Sequence, residues 1–235
     1  MKNYPPLWAL RRFALRMYYQ SSSKRYVEYL RKQGIEIGEN CRIRPKTARI
    51  DVTRPSLVSI GDNCYMNENF TLLTHDWVSN VFIHSERNFV NSSGKVRIGN
   101  NVSFGQNVMV LKGVTIGDNC FIGAGSIVTR DIPANSIAVG TPCRVVMSLE
   151  DYYQKRLIES QAEAMEYAKS IYERFGRMPV IDDFWEEFPF FVDGKDIDKY
   201  PRFRRQLGPS YERYKAGHHA PYPDLATFLK AAGIE

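Results

Sequence analysis

From Ile98 to Pro133 the chain repeats itself every six residues without a slip, reading IGNNVS, FGQNVM, VLKGVT, IGDNCF, IGAGSI and VTRDIP. Ile98, Phe104, Val110, Ile116, Ile122 and Val128 open the six hexads, Gly follows the opener in four of them, and a small or β-branched residue usually stands fifth. Six residues is neither the helix period nor the strand period. It fits a short strand followed by a tight corner, so that three hexads close one triangular coil. The next three stack on it as parallel sheet with the openers in an apolar interior. Each buried opener contributes roughly 1.5–3 kcal/mol, so six in register make a rigid rod.

The pattern begins earlier. Coils start at Ile37 with IGENCR and IRPKTA, slip phase near Ile50, pass a short loop at RPS and resume with IGDNCY, MNENFT and Leu72. An extra residue has no place inside a buried row, so the slip marks a loop. After Leu72 the strict register returns only at Ile98, which leaves a long inserted loop, residues 74–97. A loop of that length in a compact rod is usually functional.

The run VRIGNNVSFGQNVMVLKGVTIGDNCFIGAGSIVTRDIPANSIAVGTPCRVV resembles the signature of the hexapeptide-repeat acyltransferases, in the branch that includes galactoside and maltose acetyltransferases. The resemblance extends over about residues 35–147 and is strongest from Val96 to Val146. It implies a mainly β fold, a left-handed parallel β-helix, and with it a homotrimer, acetyl-coenzyme A as donor and a carbohydrate acceptor. The handedness comes from the resemblance alone, because parallel crossovers are ordinarily right-handed.

The inserted loop opens TLLTHDW, which resembles the family segment bearing the general-base histidine, and the matching residue is His75. Moving an acetyl group from a thioester to a hydroxyl needs an acceptor for the hydroxyl proton, and an imidazole of ordinary pKa near ~6.5 suits that task at neutral pH. Asp76 is expected to orient the imidazole or to meet the acceptor, unless it is simply a solvated carboxylate. Trp77 either stacks on a sugar ring or packs the loop onto the rod, and His84 is the competing base. By the same resemblance Gly105, Ala124 and Thr129 line the pantetheine arm of the coenzyme, while Arg130 and Arg144 meet its phosphates. The glycines also have a purely structural reading as corner residues. Three positions depart from the family pattern: Ser103 where relatives often carry Trp, Met147 where a basic residue is expected, and Arg44 where an acceptor-contacting Asn stands. Arg44 suits an acidic or phosphate-bearing sugar in place of a neutral one. A zinc site is not expected, since the rod supplies only His75 and His84 and three protein ligands are needed.

Around the rod the sequence predicts three regions: an N-terminal helical segment over residues 1–34, the β-helix over 35–147, and a helical, aromatic-rich extension over 148–235. A first helix is expected from Leu7 to Tyr19 and a second to about Lys32, closed by Gly34. They cap the open first coil, which would otherwise expose apolar side chains and strand edges. Residues 1–33 carry a net +7 against +6 for the whole chain, in Lys2, Arg11, Arg12, Arg16, Lys24, Arg25, Arg31 and Lys32 against Glu28. A basic helical face of this kind also fits peripheral contact with anionic lipid. Its confinement to one end argues against a nucleic-acid-binding face. No apolar run approaches the roughly eighteen residues of a membrane span, and Arg11, Arg12 and Arg16 interrupt any secretory signal. A cytoplasmic protein is expected. Cys41, Cys64 and Cys120 stand fifth in their hexads as small inward residues, not as disulfide or metal ligands. Ser148 and Asp151 open a helix to Gly176, after which Phe184, Trp185, Phe188, Phe190 and Phe191 crowd together as core, subunit packing or a carbohydrate platform.

The function read from these residues is acetyl-coenzyme A-dependent O-acetylation of a sugar in a surface polysaccharide or its precursor. N-acetylation of an amino-sugar nucleotide and an idle trimeric scaffold remain open beside it.

Overall fold

In the computed structural model, which describes residues 14–234, each hexad of the strict run lays down a strand of two residues and then a corner. Ser103–Phe104, Met109–Val110, Thr115–Ile116, Phe121–Ile122 and Ile127–Val128 each alternate from an outward side chain to a buried one. The fourth residue of the hexad turns the corner in the left-handed backbone region, with φ of +55° at Asn101, +59° at Asn107 and +56° at Asn119. Asparagine tolerates that region because its short amide bonds locally. Here the amides also bond from coil to coil, Asn101 to Asn119 at 2.9 Å and Asn119 to Asn135 at 3.0 Å. The fifth residue turns inward again: Val102, Val108, Val114, Cys120 and Ser126 are all buried.

These strands build three faces. Glu36–Ile37 (β1), Val58–Ile60 (β4), Val96–Ile98 (β7) and Thr115–Ile116 (β10) form the first. Arg42–Ile43 (β2), Tyr65–Met66 (β5), Ser103–Phe104 (β8), Phe121–Ile122 (β11), Ser136–Val139 (β13) and Arg144–Ser148 (β14) form the second. Arg49–Ile50 (β3), Thr71–Leu72 (β6), Met109–Val110 (β9) and Ile127–Val128 (β12) form the third. All pairings are parallel except β13 with β14. The register sets the openers in continuous rows, Ile37, Ile60, Ile98 and Ile116 on one face and Ile50, Leu72, Val110 and Val128 on another.

On the second face Met66, Phe104 and Ile122 are stacked, and the Phe104 ring meets Phe70 at 4.8 Å between centroids. Phe104 is 1% exposed, so Phe104→Ala is expected to lower the unfolding free energy by about 3–5 kcal/mol. Urea denaturation checks this; a loss below about 1 kcal/mol would mean that the row is not close-packed.

The phase slip near Ile50 is absorbed at a corner. Thr47 and Ala48 both donate backbone hydrogen bonds to the Arg44 carbonyl, a turn that takes up the extra residue without displacing Ile43 or Ile50 from their rows. The cysteines are all free; Cys64, Cys120 and Cys143 are buried and Cys41 half-buried. The Cys64 and Cys120 thiols donate to the carbonyls of Gly99 and Pro133, each at 3.1 Å, so a small polarizable side chain in the fifth place also ties adjacent coils.

The helix Ser23–Lys32 starts on a Ser22 side-chain cap and buries Tyr26, Val27 and Leu30 in the same core as Ile35, Ile37 and Ile43. Residues 14–19 are helical as well. The rest of the expected first helix, with Lys2, Arg11 and Arg12, lies outside the described residues. No helix among the described residues is long and apolar enough to cross a membrane.

The chain divides into two compact units between Tyr152 and Tyr153. The division falls within the first turns of the long helix Leu149–Phe175, begun by the reciprocal Ser148–Asp151 cap, and in the second unit that helix contributes Ala164 and Ala168 to a core with Phe184, Phe188, Phe191, Phe203 and Phe228. Phe188 and Phe203 stack at 4.0 Å. Four of the five crowded aromatics thus pack inward, whereas Trp185 is exposed.

Candidate functional site

His75 stands three residues beyond Leu72, at the corner between the third face and the first, where the inserted loop leaves the rod. The root of that loop is a short antiparallel ladder: His75 bridges Ser93, Gly94 N–H donates to the Thr74 carbonyl at 2.9 Å, and Asp76 N–H to the Ser92 carbonyl. Gly94 passes so close to the next coil that an added Cβ would lie 2.8 Å from the Gly113 nitrogen, so only glycine lets the loop close there. Beyond the ladder the loop forms the short helix Val78–His84, absent from the sequence reading because its apolar residues follow no buried stripe. His84 is exposed at its end.

The partner of the imidazole is Asp51. His75 Nδ1 and Asp51 Oδ2 are 2.7 Å apart, with side chains 19% and 5% exposed. Asp51 Oδ1 accepts from the Thr53 backbone N–H at 2.9 Å and its hydroxyl at 2.7 Å. Oδ2 also accepts from the hydroxyl of Thr74, which is fully buried. Burial pushes the Asp51 carboxyl up, but the hydrogen bonds from Thr74, Thr53 and His75 outweigh it and hold the group well below the usual carboxylate range. An ionised Asp51 makes Nδ1 the donor, which leaves Nε2 with its lone pair free to accept a proton.

Of the three readings open for Asp76, orienting the imidazole is the one that falls to Asp51 instead. Asp76 turns away to an ion pair with Lys112 at 2.5 Å and accepts from Ser92 Oγ and the Val78 N–H. The bond from Lys112 comes first among the causes that pull its carboxyl down to about 2. These contacts tie the loop to the corner after β9. Trp77 does not pack onto the rod either; it is 77% exposed, its ring 6.3 Å from the imidazole. Asp51 was missed because 24 residues separate it from His75. The signal was present in the Asp-x-Thr turn of Asp51–Val52–Thr53, where a carboxylate takes the place beside an opener that Gly often fills.

The remaining candidates, Arg144 apart, fall on two corners. Thr129 and Arg130 follow β12 at the same corner as His75, and both are exposed. Gly105, Ala124 and Arg44 lie at the corner between the second face and the third. Gly105 carries no Cβ because one would sit 2.5 Å from the Ala124 nitrogen, so coil stacking alone demands glycine there. Ala124 above it is exposed. Arg44 donates to the Tyr65 hydroxyl at 3.2 Å. Arg144 lies on β14 opposite Val139 and donates to the Cys143 carbonyl. Among the described residues neither Arg130 nor Arg144 has an acidic partner, which suits cations that meet phosphates. No group of three His, Cys, Asp or Glu side chains among the described residues is placed to hold a metal ion.

Residues 95–130 match the family model described as bacterial transferase hexapeptide (six repeats). Galactoside O-acetyltransferase of Escherichia coli (strain K12) is 37% identical over 147 residues, covering 53% of this chain and 71% of that protein. Galactoside O-acetyltransferase of Lactococcus lactis subsp. lactis (strain IL1403) is 37% identical over 143 residues, covering 53% and 68%. Among solved structures, a galactoside acetyltransferase in complex with coenzyme A is 29% identical, with a TM-score of 0.43 over 62% of this chain and 82% of that one.

Proposed function

Because the chain belongs to the hexapeptide-repeat acetyltransferases, we propose that it transfers the acetyl group of acetyl-coenzyme A directly to a sugar hydroxyl, with His75 as general base. The observation that carries this reading is the Asp51–His75 pair, buried on its carboxylate side and open on its imidazole side. Nε2 takes the proton of the acceptor hydroxyl as its oxygen forms a bond to the thioester carbonyl carbon. When that carbon's bond to sulfur breaks, the imidazolium returns the proton to the departing thiolate. Asp51 stays ionised, holds the ring in one tautomer and offsets the positive charge that develops on it. No acyl-enzyme is needed.

The finer architecture follows from the same reading. The coils wind left-handed, and three copies associate so that the coenzyme lies between neighbours. The division of most candidates over two corners supports this: Thr129 and Arg130 stand at the same corner as His75, two coils on, and Gly105, Ala124 and Arg44 stand at the next corner. A neighbouring chain that sets its second-to-third corner against the third-to-first corner of this one completes a single site. The acceptor is a surface polysaccharide or its precursor, a reading supported by the folded extension that follows the coils.

The test is thiol release from acetyl-coenzyme A against sugars, amino-sugar nucleotides and polysaccharide repeat fragments. Turnover on hydroxyls is expected. Turnover on amines alone would replace this reading with N-acetylation, and coenzyme binding without turnover on any acceptor would favour a scaffold.

A further inference from the structure

A cavity of about 700 Å³ opens between the first coil and the helical segments before it, within the size range of small-molecule sites. Tyr19, Tyr26 and Tyr29 line it. Their rings stand in series, with centroids 5.2 Å apart for Tyr19 and Tyr29 and 6.1 Å for Tyr26 and Tyr29, the latter pair inclined by only 22°. Arg16, Lys32 and Arg49 supply three cations, and no Asp or Glu is among the lining residues. Lys32 reaches the Tyr19 hydroxyl at 3.4 Å, while Arg16 and Arg49 form no ion pair among the described residues.

The position of the cavity links it to the chemistry. Its wall residues Ile50 and Val52 flank Asp51, the residue that holds His75, so the cavity wall and the partner of the imidazole lie on one stretch of backbone. Aromatic faces offer apolar area to the C–H face of a sugar ring. Three cations gathered without a counter-charge favour an anion, which gains charge-assisted hydrogen bonds from Arg and Lys.

We infer that this cavity binds an anionic sugar, one that carries a carboxylate or a phosphate, as part of the acetyl acceptor. The inference rests on the acceptor reading above and adds the charge of the acceptor to it. Arg49 points outward on β3 beside Thr71 and meets the anionic group, with Lys32 across the cavity; the tyrosines hold the ring.

The test is calorimetric titration of the full chain with glucuronate, galacturonate, galactose 6-phosphate, galactose and inorganic phosphate. At least one anionic sugar is expected to bind about 10-fold or more tighter than galactose and than inorganic phosphate, and Arg49→Gln is expected to lower that preference by about 10-fold. The tighter of the uronates and the sugar phosphate names the anionic group. Equal binding of charged and neutral sugars, no binding of any anionic sugar, or inorganic phosphate binding as tightly as the sugars would each overturn the inference. Should Arg49→Gln fail to fold, Lys32→Gln at the exposed end of its helix carries the same comparison. Binding is read here without turnover. A failure therefore leaves acetyl transfer standing, whereas anion binding with no transfer to any acceptor would fault the base assignment and not the cavity.

Discussion

His75→Ala is expected to lower kcat for acetyl transfer by about 10²–10⁴-fold while the affinity for acetyl-coenzyme A changes by less than about twofold. The separation follows from geometry. The imidazole sits at the root of the inserted loop with Nδ1 committed to Asp51, and in the proposed mechanism its Nε2 acts on the acceptor proton, not on the donor. In the proposed reading the donor contacts fall instead to exposed groups such as Thr129 and Arg130, farther along the same corner. Steady-state kinetics, coenzyme titration and sedimentation of the same variant make the check. Full activity would remove His75 from the chemistry, and loss of assembly together with coenzyme binding would show that its part is structural.

Asp51→Asn is expected to lower kcat by roughly 10²–10⁴-fold through the tautomer of His75, again with coenzyme affinity retained. Every group around this carboxylate donates to it: the Thr53 N–H and hydroxyl on one oxygen, the Thr74 hydroxyl and His75 on the other. An amide turns one acceptor into a donor, so either the ring loses its partner or a buried threonine does, at about 1–3 kcal/mol for an unsatisfied group. The substitution also has a signature in pH. The Asp51 carboxyl is held below its ordinary value of 3.8 in the folded chain, so the stability it adds is fully present above about pH 4. That stability is lost as pH falls through the lower folded value. The gap in unfolding free energy between parent and Asp51→Asn should therefore be largest near neutrality and shrink below pH 4. Urea titrations at pH 7 and pH 3 measure it, and a gap independent of pH would mean that folding does not favour the ionised form of Asp51.

How much of this was legible in advance differs from element to element. The hexads placed all six openers from Ile98 to Val128 in the interior, and each is 4% exposed or less, because an unbroken period leaves each side chain one side of the coil to face. The Ser148–Asp151 cap and the helix after it were equally open to reading, since both partners lie within one turn. His75 is marked as the candidate base by its local segment. Its partner Asp51 is not marked; the adjacent Asp76, read as orienting the ring, meeting the acceptor or standing solvated, pairs with Lys112. Neighbours in sequence at a loop root point in different directions, whereas residues one coil apart meet.

The sequence by itself determined the rod: six-residue spacing, apolar openers and corner residues such as Asn101 that accept a positive φ. These are local properties repeated until only one stacking buries them all. Only the tertiary structure decided which carboxylate holds His75, which cations remain without a counter-charge at the N-terminal cavity, and which candidates share a corner. Those relations cross coils of unequal length, joined by a turn at Arg44–Ala48 and by the long loop after Leu72. Distance along the chain then no longer measures distance in space, and the register of the stacked strands sets the contacts.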